Sequence, residues 1–75
     1  MSETILDVKG LKCPLPVLKI QKAMKSLASG DVLEVHTTDP MSAIDVPAFC
    51  NESGNLLVAQ LSPNAGTHIF KIERV

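Results

Sequence analysis

The sequence predicts an α/β protein of the α+β two-layer sandwich type, ordered βαβαββ, with a mixed four-stranded sheet and both helices packed on one face. Three observations lead there. Apolar residues alternate with polar ones at Leu6 and Val8 and again at Leu33 and Val35, the period of half-buried strands. Two stretches open on a capping-type residue followed by proline, Cys13-Pro14 and Asp39-Pro40, and continue with apolar residues at helical spacing. Near the end, Pro63-Asn64-Ala65-Gly66 separates two strand-like runs and suits an antiparallel hairpin. At 75 residues the chain is read as one domain, residues 1–75, with no second core.

Taken in order, Thr4 to Val8 is the first strand, and Gly10 lets the chain turn. Cys13 is expected as the helix N-cap and Pro14 as the first helical residue, where proline's missing N–H is not needed. Pro16 lies in the same first turn and breaks no helix bond. Val17, Ile20, Met24, Leu27 and Ala28 follow the helical period, and Ser29-Gly30 is the expected stop, with Gly30 left-handed. After Asp31, Val32 to Thr37 is the second strand, joined to the first by a right-handed crossover. Asp39 should cap a second helix starting near Met41, and Pro47 inside it should kink or break it. Val46, Phe49 and Cys50 form its apolar stripe and Gly54 ends it. Asn55 to Ser62 and Thr67 to Val75 are the closing strands.

Composition narrows the function classes. A formal net charge of −1 argues against a general nucleic-acid binder. The Met1-Ser2-Glu3-Thr4 start lacks the basic region and apolar run of a signal peptide, and no segment approaches the ~20 apolar residues of a membrane span. The expected compartment is the cytoplasm, where two cysteines do not make a disulfide framework. Cys13, Cys50, His36 and His68 offer too few ligands at useful spacing, so neither a metal nor a cofactor is expected. Both histidines are read as strand residues on the open face of the sheet.

The chemistry centres on Gly10-Leu11-Lys12-Cys13-Pro14-Leu15-Pro16. Two prolines stiffen the turn and hold Cys13 at an exposed tip, with Gly10, Lys12, Pro14 and Pro16 in support. A helix N-terminus favours a nearby anion by ~0.3–1 kcal/mol, up to ~2, which lowers a thiol from ~8.5 to about 7–8. Lys12 should act in the same direction. Cys50, on an apolar stripe, is read as core rather than as a resolving thiol. Between Asp7 and Asp31 the only charges are Lys9, Lys12, Lys19, Lys22 and Lys25. Lys19, Lys22 and Lys25 share a side of the first helix and form either a solvated face or a docking surface for an acidic partner.

With these residues in hand, the chain resembles the small TusA-like (SirA/YedF-like) sulfur-carrier proteins. The resemblance rests on Leu6-Asp7, the Gly10 to Pro16 stretch, the Gly30 turn, Asp39-Pro40, and Asp45-Val46-Pro47-Ala48-Phe49-Cys50. It implies a βαβαββ sandwich and a carrier holding sulfane sulfur as a persulfide on Cys13. It also implies a cysteine desulfurase or rhodanese-like donor and a downstream acceptor protein, toward tRNA 2-thiouridine, molybdenum cofactor or oxidative sulfur pathways. Members tied to tRNA thiolation commonly carry an acid where this chain has Leu15 and an arginine near the place of Gln21. Two other readings remain open on the residues themselves: a regulatory or binding module using the basic helix face, and a redox protein pairing Cys13 with Cys50.

Overall fold

Alternating apolar side chains become strands, and the two proline-led stretches become helices. In the computed structural model, which describes residues 3–75, β1 spans Glu3–Asp7, α1 Leu15–Lys25, β2 Val32–Thr37, α2 Ser42–Ser53, β3 Leu56–Asn64 and β4 Thr67–Glu73. The sheet order is β1-β2-β4-β3, with β1 parallel to β2 and the other pairs antiparallel. Register sets Leu33 beside Ile72 and Val35 beside Phe70, so one sheet face presents a continuous apolar row. Ile20 and Met24 of α1 and Val46 and Cys50 of α2 close over that row, and all eight side chains are buried. The opposite face stays open. There Glu34 pairs with His36 at 2.6 Å and Lys71 at 3.7 Å.

The helix boundaries differ from expectation in instructive ways. Leu15 N–H donates to the Lys12 carbonyl at 2.9 Å, so a separate turn precedes the helix. Cys13 therefore sits inside that turn, and Pro14, without a side-chain cap bond, is the N-cap. The Cys13–Pro14 peptide bond is cis. Pro16 falls at the helix start, as expected, and is buried. At the other end α1 stops at Lys25, well before Gly30. Ser26 turns its hydroxyl back on the Ala23 carbonyl at 2.9 Å, and Arg74 donates to the Met24 carbonyl, so the last carbonyls find partners that compete with another helical turn. Gly30, at φ +91°, instead serves the turn into β2.

α2 runs unbroken through Pro47. The proline deletes one backbone bond, but burial of Val46 and Cys50 on either side of it holds the helix by tertiary packing. β3 continues two residues past Ser62 and takes in Pro63. As an edge strand with register shifts at Leu57/Ala59 and Leu61/Asn64, it tolerates a residue that cannot donate to the ladder. β4 ends at Glu73 instead of Val75. His36 lies on the open face as expected, whereas His68 does not. His68 pairs in register with buried Thr37 and its ring lies 6.3 Å from that of Phe70, on the helix side.

Candidate functional site

The Cys13 turn is fastened to the loop between β2 and α2. That loop is built from the inside outward. Thr37, at the end of β2, is fully buried, and its hydroxyl meets the buried Ser42 hydroxyl at 2.9 Å. The same Thr37 oxygen accepts the Asp39 N–H at 3.1 Å, which fixes the position of the Asp39 carboxylate. One oxygen of that carboxylate accepts the Met41 N–H at 3.2 Å, a local turn that leads into α2. The other accepts the Cys13 N–H at 2.9 Å. A second tie joins Gly10 N–H to the Thr38 hydroxyl at 2.9 Å, with Gly10 at φ +86°, where a side chain would be strained. A chain of hydrogen bonds thus leads from the core to the backbone of the cysteine.

Cys13 itself is exposed, and its thiol donates to the Asp45 carboxylate in the first turn of α2 at 3.0 Å. The thiol faces a groove of about 270 Å³ between the helices, lined by Val17 and Gln21 of α1 and by Asp45, Phe49 and Glu52 of α2. The expected activation by the helix dipole is overturned here. The nearest helical N–H, that of Leu15, is already bonded to Lys12. The hydrogen bond to Asp45, then partial withdrawal from water, then the charges of Asp45 and Asp39, together push the Cys13 thiol above its ordinary value. Lys12 lines a different depression, with Thr38, Asp39 and Pro40.

The other residues singled out from the sequence fall as follows. Cys50 is buried, and burial pushes its thiol up. Both cysteines are free. Lys19, Lys22 and Lys25 are exposed on α1, and none of them lines the groove at Cys13. Lys22 and Lys25 occupy the last turn of α1, where positive charge complements the helix dipole. The Cys13 sulfur and the Asp39 and Asp45 carboxylates gather within 4.8 Å of one another. Both Asp39 oxygens are taken by backbone N–H groups and Asp45 by the thiol, so the cluster is satisfied by its own hydrogen bonds.

Asp45 as a partner of the thiol is absent from the sequence reading, and Asp39, expected as the cap of the second helix, lies before it: Met41 is the N-cap of α2, with no side-chain cap bond. Both acids lie within the stretches that carry the family resemblance, which was the available signal. Residues 4–74 match the family described as Sulfurtransferase TusA. The chain belongs to the TusA family. It is similar to the sulfur carrier protein TusA of Pseudomonas putida, at 40% identity over 72 residues, covering 96% of this chain and 89% of that protein. TusA of Pseudomonas entomophila is equally similar, at 40% identity over the same shares of each chain. In fold, the chain resembles the crystal structure of a SirA-like protein from Desulfitobacterium hafniense, with TM-score 0.83 and 24% identity over 93% of this chain and 95% of that one. A sulfur carrier needs a donor and an acceptor, and among the described residues no helix is long and apolar enough to cross a membrane.

Proposed function

We propose that this chain, acting as one carrier domain over residues 1–75, accepts sulfane sulfur as a persulfide on Cys13 and relays it to an acceptor protein. The observation that carries the reading is the contrast between the two thiols. Cys13 is exposed on a turn pinned by two backbone ties, while Cys50 lies in the core. That contrast also weighs against a Cys13–Cys50 redox pair. In the transfer, Cys13 Sγ attacks the outer sulfur of a donor persulfide. A new Sγ–S bond forms, the donor S–S bond breaks, and the donor cysteine leaves as a thiolate that takes up a proton in place of the one lost by Cys13. The sulfane sulfur keeps its oxidation state, so no outside oxidant or reductant enters.

The donor is a cysteine desulfurase or a rhodanese-like protein in the cytoplasm, and the product feeds tRNA 2-thiouridine synthesis or another sulfur-trafficking pathway. Partner proteins meet exposed Leu15 and Leu18 of α1 and Met41 and Ile44 near the start of α2, an apolar rim flanking the thiol turn. Lys19, Lys22 and Lys25 add charge steering beside it. Direct nucleic-acid contact is no part of this reading. Intact mass after incubation with a cysteine desulfurase and cysteine tests it: wild type and Cys50→Ser should gain one sulfur atom, and Cys13→Ser none. Loading of Cys13→Ser at the wild-type level would overturn the proposal.

A further inference from the structure

We infer that Asp45 is a positioning residue that holds Cys13 as a quiet thiol in the free carrier, and that the sulfur donor releases it by presenting a cationic side chain to the Asp45 carboxylate. The second half rests on the carrier reading above; the first stands on the geometry alone. The thiol donates to Asp45 at 3.0 Å although Cys13 is exposed and water is available as an alternative partner. The charged groups around it are Asp39, on the loop after β2, Asp45 and Glu52 on α2, and the preceding Lys12, which lines the separate depression with Thr38 and Pro40, while α1 contributes only uncharged residues to the groove wall. Among the described residues no lysine or arginine lines the groove. An ordinary thiol is only a few per cent thiolate at neutral pH, and the anionic surroundings reduce that fraction further.

Sulfur uptake requires the thiolate, so the charge that suppresses it must be neutralised at the moment of transfer. Among the described residues no cation lines the groove, and a guanidinium or ammonium group on the docked donor is complementary to Asp45 and Glu52. With Asp45 paired to that cation, Cys13 gives its proton to water and its thiolate attacks; the Sγ–S bond forms as the donor S–S bond breaks, and the departing donor thiolate takes a proton from water. In the free carrier the same contact lowers the reactivity of an exposed thiol toward stray electrophiles.

The experiment compares two rates on the full chain. With neutral iodoacetamide, Asp45→Asn should react on the order of 3–10-fold faster than wild type at pH 7, the factor expected for removing a charge near 3 Å across a water-like dielectric. The midpoint of its pH–rate profile should move down, and Asp45→Glu should retain the slow rate. Loading of Asp45→Asn from a desulfurase persulfide should become slower than wild type, because the donor's cation has lost its partner. An unchanged or slower alkylation rate would overturn the clamp. Alkylation and loading rising together would overturn the donor's cation. Circular dichroism of both variants verifies the fold, and the iodoacetamide arm is independent of whether Cys13 carries sulfur.

Discussion

Asp39 is the residue on which the thiol turn depends, and its removal gives a worked prediction. Its side chain is 7% exposed and accepts two backbone N–H groups, Cys13 at 2.9 Å and Met41 at 3.2 Å. Hydrogen bonds to a charged acceptor contribute about 1.5–3 kcal/mol each, against about 0.5–1.5 for neutral ones. Both donors are only partly buried, so water can replace some of the loss, and each bond falls between the two ranges, at about 1–1.5 kcal/mol. Asp39→Ala should therefore destabilise the fold by about 2–3 kcal/mol. At about 4–8 °C per kcal/mol for a domain of this size, the thermal midpoint should fall by roughly 8–24 °C. Urea titration followed by circular dichroism, run beside thermal melts, measures both quantities. Thr38→Val is the control, since it removes one neutral, exposed bond to Gly10 and should cost no more than about 1 kcal/mol. If Asp39→Ala stays within about 0.5 kcal/mol of wild type, the carboxylate does not organise the turn and the proposed route from core to cysteine is wrong.

Cys50→Ala should cost roughly 1–2 kcal/mol in urea titrations as a small buried side chain is trimmed, and should leave sulfur transfer largely intact. Lys19→Glu with Lys22→Glu should slow uptake from the donor at low salt with little change in thermal midpoint. The difference should shrink as ionic strength screens exposed charges over about 8–10 Å; rates equal at every salt concentration would leave these lysines as a solvated face. The hydrogen bond from His36, aided by Lys71, holds the Glu34 carboxyl below its ordinary value despite partial burial. A lowered folded-state value means that its stabilisation is present above the unfolded value and is lost as pH falls through the folded one. Glu34→Gln should accordingly lower stability at neutral and alkaline pH, leave it nearly unchanged at pH below the folded value, and so flatten the acid limb of a stability–pH profile.

The parts of the fold that were legible in the sequence are those set by local period and turn chemistry. Leu33 and Val35 alternate because one face of β2 is core, and Gly54, at φ +79°, ends α2 where the apolar stripe ends. The errors arose where a distant group supplies the deciding bond. The α1 stop at Lys25 depends on Arg74, fifty positions along the chain, and sequence spacing carries no trace of that contact. His68 was assigned to the wrong face because its side is fixed by pairing with Thr37, which requires the β2–β4 register. Cys13 was readable as the exposed thiol from its prolines, but its electrostatics were not. The helix N-terminus is a local feature, whereas Asp45 reaches the sulfur from thirty-two positions away.

That distance explains how two acids in one short stretch take different roles. Asp39 and Asp45 are six positions apart, separated by the turn into α2. Asp39 precedes the helix and points its oxygens at backbone donors, with which it makes charge-assisted hydrogen bonds. Asp45 lies in the first helical turn, where the dipole favours a negative charge. Its carboxylate accepts the thiol hydrogen bond. The helix start that the cysteine was expected to exploit is instead used by the acid opposing it: the dipole of α2 stabilises the anion that suppresses the Cys13 thiolate. Reactivity at this tip is therefore governed by whatever neutralises Asp45.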